Sequence, residues 1–393
     1  MDKVILIGNH PRDGSESMDR YTRLLWQGLK EKGIAAEILK PKSFFGNLCD
    51  PKGGVSKWLR YIDKFVVFPR MLRRRLKQLK RSEERFVVHI CDQGDAVYVP
   101  WISDVAHVVT CHDMIAIRSA LGEFPERPTG GTGRIYQKWI LNGLRRASSI
   151  VCVSEATRVD FSRIAGTAGQ HVSVIKNPLN YPFKPMSASE AAPLLEAVFR
   201  RTGRKCPEKY LFHVGANFWY KNRLGLIRIY KALSELCKPP PLVLAGEQPS
   251  PELEALIQSE NLQGEVLAVG KVSGEELNAL YSRSEGLVFP SLMEGFGWPV
   301  VEAQACGCAV IASDIAVIKE IAGEGACLID VSNVANTAGA IRAFLALPQP
   351  EKMEQINKGF RNAATYSGPR FLDEYVETYR TLCQQSKNGG SEV

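Results

Sequence analysis

Along the first half of the chain, short apolar runs alternate with stretches whose apolar residues recur every three or four positions. The runs are Val4–Gly8, Ala35–Leu39, Phe86–Cys91, His107–Cys111, Ile150–Val153 and Val172–Ile175. Such runs, bounded by turn signals, read as strands buried on both faces. Between the first two, Met18, Tyr21, Leu25 and Leu29 fall on one helical face. Asp13 and Glu16 form a capping-box pair at its start, and Gly33 closes it. The second half repeats the rhythm with Tyr210–Val214, Leu242–Ala245, Val266–Val269, Gly286–Phe289, Ala309–Ala312 and Cys327–Ile329. Helices fit between these runs, for example Gly274–Ser284 and Pro299–Cys306. Alternating strands and helices mean parallel, doubly wound sheets. The pattern therefore predicts two Rossmann-like α/β domains in succession.

The rhythm breaks between Asn180 and Glu208, where Pro182, Pro185 and Pro207 surround a helix-forming piece at Ala191–Arg200. The division expected is an N-terminal domain over 1–182, a linker region over 183–207, a C-terminal domain over 208–367, and a terminal helix and tail over 368–393. The length of 393 residues suits two such domains. The last helical stretch, Phe371–Gln385, repeats apolar residues at Phe371, Tyr375, Tyr379 and Cys383. A free helix would waste that stripe, so it is expected to pack on the N-terminal domain. Open parallel sheets bind ligands at the carboxyl ends of their strands. Two such domains facing each other predict an interdomain cleft, and chemistry is sought just after strands.

Composition narrows the setting. No apolar stretch approaches the ~18–20 residues that span a bilayer, and the chain starts on a strand pattern rather than a leader. Ten cysteines are present, several inside apolar runs, such as Cys91, Cys111 and Cys152. None has metal-ligand spacing in suitable surroundings, so they read as reduced buried thiols of a cytoplasmic protein. The net charge of +8 points to anionic partners. Much of it is local: Arg70, Arg73, Arg74, Arg75, Lys77, Lys80 and Arg81 share one short window. The stretch 58–85 interleaves Trp58, Tyr61, Phe65, Phe68, Met71 and Leu72 with these cations. It reads either as a helix lying on an anionic membrane surface, which would make the protein peripheral, or as a solvated helix packed on the first domain.

Three constellations carry chemistry. The first runs Ser291-Leu292-Met293-Glu294-Gly295-Phe296-Gly297-Trp298-Pro299-Val300-Val301-Glu302-Ala303, after the strand Gly286–Phe289. Pro299 suits a helix start and Gly307 a position past its end. Glu294 then lies in a glycine-rich loop, and Glu302 one turn into the helix. Two carboxylates there suit neutral diols rather than phosphate: one can hold a sugar ring, the other a ribose. The second is His213-Val214-Gly215-Ala216-Asn217-Phe218-Trp219-Tyr220-Lys221-Asn222, a strand and turn leading into a helix over Arg223–Leu236. A lysine there can neutralise a departing diphosphate, where charge develops. The third is Val108-Val109-Thr110-Cys111-His112-Asp113, with His112 just past a strand of the first domain.

The segment from Ser291 to Ala303 resembles the E-x7-E signature of glycosyltransferase family 4, retaining enzymes of the GT-B fold. Its continuation, Gly307 to Asp314, is similar as well. The resemblance implies that Glu294, Gly295, Phe296 and Gly297 contact the donor sugar and Glu302 the ribose. It implies a diphosphate site from Gly215, Asn217, Lys221 and Asn222, and places His112 near the donor sugar. The family commonly has an arginine before the lysine. Here Tyr220 takes that place, with Arg223 as a candidate substitute. Val269-Gly270-Lys271-Val272 resembles the loop that holds the base, Ser154 the family's strand-end serine, and Asn177-Pro178 the turn before the linker. Asn9, His10 and Arg12, after the first strand, are the acceptor candidates. The resemblance implies front-face substitution with no metal or other cofactor. The partners expected are a nucleotide-sugar donor, a glycan or lipid-linked acceptor and the anionic membrane surface, with no nucleic acid. The rival readings are a sugar-nucleotide epimerase of the same fold and a non-catalytic sugar-nucleotide-binding protein.

Overall fold

The computed structural model describes residues 1–11, 16–42, 59, 61–82, 84–167 and 169–388. Two compact units form: Met1–Asn180 with Gly368–Val393, and Tyr181–Ser367. The first holds β1 (Lys3–Ile7), α1 (Glu16–Glu31), β2 (Ala35–Leu39), α2 (Phe68–Arg81), β3 (Phe86–Ile90), β4 (His107–Cys111), α3 (Ile115–Ala120), α4 (Gly131–Arg146), β5 (Ser149–Cys152), α5 (Glu155–Ala165) and β6 (His171–Val174). A π-helical turn, Asp63–Val67, precedes α2, and a 3₁₀ segment, Gln93–Trp101, follows β3. The second unit holds α6 (Ala188–Arg200), β7 (Leu211–Gly215), α7 (Arg223–Leu236), β8 (Leu242–Gly246), α8 (Pro251–Ser259), β9 (Val266–Gly270), α9 (Gly274–Arg283), β10 (Gly286–Phe289), α10 (Trp298–Ala305), β11 (Val310–Ser313), α11 (Ala316–Ala322), β12 (Cys327–Ile329), α12 (Val334–Leu345) and α13 (Gln349–Ala363). The terminal helix α14 (Gly368–Asn388) returns to the first unit.

Each unit is built on one six-stranded parallel sheet, in the orders β2-β1-β3-β4-β5-β6 and β12-β11-β10-β7-β8-β9. The central strands are buried on both faces, which is why they read as continuous apolar runs. Serines start several helices: Ser154, Ser187, Ser250 and Ser273 each accept a backbone N–H, and Ser187 and Ser273 complete capping boxes with Glu190 and Glu276. Residues 183–207 are part of the second unit. The apolar face of α6 (Ala191, Leu195, Val198, Phe199) is buried, and the helix packs on α9. Asp13 and Trp58 lie outside the described residues.

The stripe of α14 is buried in the first unit, and it brings hydroxyls with it. Tyr379 bonds His89 Nδ1 at 2.7 Å, Thr110 bonds His89 Nε2 at 2.7 Å, and the hydroxyls of Tyr21 and Tyr375 meet at 2.6 Å. Nine described cysteines are free thiols. Among the described residues, no helix is long and apolar enough to cross a membrane.

Burial pushes the imidazoles of His89 and His213 down to about 3. In the folded protein these rings stay neutral at pH 5, whereas the unfolded chain takes up protons near pH 6.5. The unfolded state then binds more protons, so stability falls as the pH drops through that window, by up to about 1.4 kcal/mol per pH unit for each ring. The denaturant midpoint is expected to be lower at pH 5 than at pH 7; equal midpoints would contradict neutral burial.

Candidate active site

In the second sheet the strand order reverses between β7 and β10, which are hydrogen-bonded neighbours. Loops leaving the carboxyl ends of strands at such a switch point diverge and leave a crevice. The two strongest motifs leave from these two strand ends. Three bonds lace them together: Leu292 N–H to Tyr220 O at 2.7 Å, Asn222 Nδ2 to Pro290 O at 3.1 Å, and Lys221 Nζ to Glu294 Oε1 at 2.6 Å. The Glu294 side chain is 7 % exposed and that of Lys221 18 %. A buried carboxylate is tolerable when a cation is bonded to it, and the reverse holds for the lysine. Together they set a fixed cation and a fixed acceptor side by side.

The backbone explains how the loops reach this arrangement. Asn222 takes a left-handed conformation (φ 55°) between the turn Trp219–Lys221 and α7, which turns Lys221 toward the β10 loop. Gly297 caps α10 with φ 95°, and a Cβ there would meet Ile318 Cδ1 at 2.9 Å. Gly295 and Gly297 flank Phe296, whose ring is buried against Trp298 and Tyr366. Phe296 can therefore offer a ligand its backbone, not its ring. Glu302, inside α10, is 4 % exposed and accepts a 2.9 Å bond from the Tyr281 hydroxyl. Val272 follows β9 and Gly270 in the next loop and is half-buried.

Two expected ligands are tied into their own loop, Asn217 at the surface and Arg223 buried. Asn217 accepts from Arg223 Nη1 at 2.6 Å and donates from Nδ2 to Gln248 O at 2.7 Å, while its N–H meets the Glu247 carboxylate at 2.8 Å. Arg223 is 5 % exposed, also bonds Glu247 O, and burial holds its pKa below the usual range. Both residues fasten the loop after Gly215 to the end of β8. Arg223 braces that loop through Nη1, while its buried Nε and Nη2 meet no hydrogen-bond partner among the described residues, and Tyr220 stacks on Phe218 at 5.4 Å.

In the first sheet the order reverses between β1 and β3. Asn9, past β1, donates to Asp92, past β3, at 2.5 Å, and Asn9 and His10 are both buried. Arg12 lies outside the described residues. His112 is buried past β4: its Nε2–H donates to Cys91 O at 2.8 Å, its N–H to Gln93 Oε1 at 2.8 Å, and its ring stands edge-on to Tyr21 at 4.7 Å. Burial lowers its pKa, against Asp92 and the Cys91 carbonyl, so it is neutral at pH 7 with Nδ1 as the acceptor. Asp113 accepts from Ile115 N and opens α3, and Ser154 caps α5. Asp92, Glu247 and Tyr281 were not legible as site residues; each is isolated in sequence, and only strand order brings it to a switch point or a motif. No cluster of three or more His, Cys, Asp or Glu among the described residues is arranged to hold a metal ion.

Comparison with known proteins bears on the family and the fold. The profile described as glycosyl transferases group 1 matches residues 196–362, and that of glycosyltransferase family 4 matches 18–181. The chain is 25% identical over 375 residues to O-antigen chain mannosyltransferase B of Escherichia coli, covering 90% of this chain and 94% of that one. It is 27% identical to O-antigen chain mannosyltransferase RfbU of Salmonella typhimurium, over 55% of this chain and 56% of that one. Among solved structures, sucrose-phosphate synthase from Thermosynechococcus elongatus superposes with a TM-score of 0.72 at 19% identity, covering 97% of this chain and 99% of that one. Anabaena HepE in complex with UDP and glucose gives 0.68 at 17%, covering 96% and 99%.

Proposed function

Because the chain is a GT-B glycosyltransferase of the group 1 and family 4 type, we propose that it moves a mannosyl residue from a nucleoside diphosphate mannose to a hydroxyl of a glycan or lipid-linked acceptor, retaining the anomeric configuration, in polysaccharide synthesis. The named mannosyltransferase relatives support the sugar and the setting. The observation that carries the chemistry is the Lys221–Glu294 pair at the β7–β10 switch point.

Lys221 meets the donor diphosphate and carries the charge that grows as the C1–O bond breaks. Glu294 accepts from sugar hydroxyls, beside the backbone of Gly295, Phe296 and Gly297. Glu302, oriented by Tyr281, holds the ribose diol, and the loop at Val272 faces the base. The acceptor oxygen bonds to C1 on the face the phosphate leaves, and the phosphate takes the acceptor's proton. Within the first unit, His112, neutral and aimed by Cys91, and the loop residues Asn9 and His10 are the candidates for sugar and acceptor contacts. This route uses no metal, so excess EDTA should leave turnover unchanged; loss restored by a divalent cation would overturn it. The acceptor is met at an anionic membrane surface, through the stretch 58–85.

The ribose does not change during reaction, so its contacts weigh equally on ground and transition states. Glu302→Gln is expected to weaken donor binding about tenfold with kcat little altered, as for a uniform-binding contact. Calorimetry gives the check: a donor affinity equal to the parent's would contradict the ribose role. A panel of nucleotide sugars read by mass spectrometry tests the donor, with mannose expected to be transferred and another sugar in its place excluding this reading.

A further inference from the structure

Helix α2 carries seven cations and no carboxylate, and α4 has no carboxylate either. The apolar stripe of α2 is not available to lipid: Phe68, Leu72, Leu76 and Leu79 are buried in the core of the first unit. Three of its cations are also engaged, Arg75 with Glu37, Lys80 with Asp104 and Arg73 over the Trp101 ring. Arg70, Arg74, Lys77 and Arg81, with Arg134 and Lys138 of α4, are exposed and pair with no carboxylate among the described residues.

Exposed apolar residues stand on the turn that leads into α2 and on α4 itself. Tyr61, Ile62 and Val66 stand on and before the π-helical turn, and Ile135 (70 % exposed) and Trp139 stand one turn apart on α4. Half-buried Phe65 joins the two groups, its ring 5.7 Å from Tyr61 and 4.8 Å from Trp139. Single exposed apolar residues need no explanation, but a group joined through Phe65, on and before helices that carry cations and no carboxylate, does.

We propose that this apolar patch and its cations form a docking surface for an anionic lipid bilayer, an inference that rests on the reading that the acceptor is met at a membrane. Ile135, Trp139, Tyr61 and Ile62 enter the headgroup boundary, while the guanidinium and ammonium groups meet lipid phosphates. A second copy of the chain is a poor occupant, because a two-fold contact would set these cations against one another. The π-helical turn has a use here: it lengthens the turn that presents Ile62 and Val66 outward while Phe68 turns into the core.

The test is sedimentation of the full chain with vesicles of phosphatidylcholine alone or mixed with phosphatidylglycerol, at rising salt. Binding is expected only to the anionic vesicles, and weaker as salt screens the charges. Ile135→Glu with Trp139→Glu, and separately Arg70, Arg74 and Lys77 each to Ser, should each cut binding at least about tenfold. None of these residues is in the donor site, so donor turnover in solution should equal the parent's. Equal binding to both vesicle types at low salt, or variants that bind as the parent does, would overturn the proposal. So would a parent dimer that the Ile135→Glu variant dissolves without any lipid binding. Failure of the transferase reading appears separately, as a parent that consumes no nucleotide sugar in the vesicle-free assay.

Discussion

Lys221→Ala is expected to lower kcat at least about a hundredfold, the usual loss when one fixed charge-stabilising group is removed from a reacting centre. In the resting structure the ammonium is bonded to Glu294 and little exposed, so it is already desolvated and aimed before the donor arrives. A phosphate that gains negative charge at that position is stabilised without reorganising the protein. The loss should fall on kcat more than on donor affinity, because the charge grows only as the glycosidic bond breaks. The variant leaves Glu294 without its counter-charge, so a lower melting temperature is expected as well, and activity is compared under conditions where both proteins are folded. Turnover within threefold of the parent in a folded variant would remove Lys221 from the chemistry.

Glu294→Gln should cost a similar factor, at least about a hundredfold in turnover. The amide keeps the size of the side chain and can still accept one bond. It cannot accept strongly from two adjacent hydroxyls, and it no longer balances Lys221. Because each group fixes the other, the two substitutions act on one unit, and the double variant should be little worse than either single one. Single-turnover assays check this. Losses that multiply in the double variant would mean that the residues act independently.

Much of the fold could be read from sequence because a doubly wound sheet hides its strands on both faces. Val4–Gly8 was displaced by one residue from Lys3–Ile7, and Tyr210–Val214 from Leu211–Gly215. The ends moved because strand ends follow hydrogen-bonded register, whereas the apolar run follows burial. Glu294 and Lys221 were legible because each follows a strand within a glycine-bearing loop. Their bond was not, since it depends on β10 lying beside β7. Asn217 was legible as a loop residue after β7; its bonds to Arg223 and to the Gln248 carbonyl, which depend on the end of β8 lying alongside, were not. The stretch 58–85 shows a further limit. An amphipathic stripe has the same spacing whether lipid or protein covers it, and here protein covers that of α2.

The central claim is that this chain transfers a sugar from a nucleotide donor with retention at C1, using the site between the β7 and β10 loops of its second unit. The most direct measurement is NMR assignment of the anomeric configuration of the product formed from nucleoside diphosphate α-mannose and a lipid and glycan extract, with the parent and the Glu294→Gln variant run side by side. An α-linked mannosyl product from the parent, and almost none from the variant, is the predicted result. A β-linked product, or equal yields from the two proteins, would contradict the account.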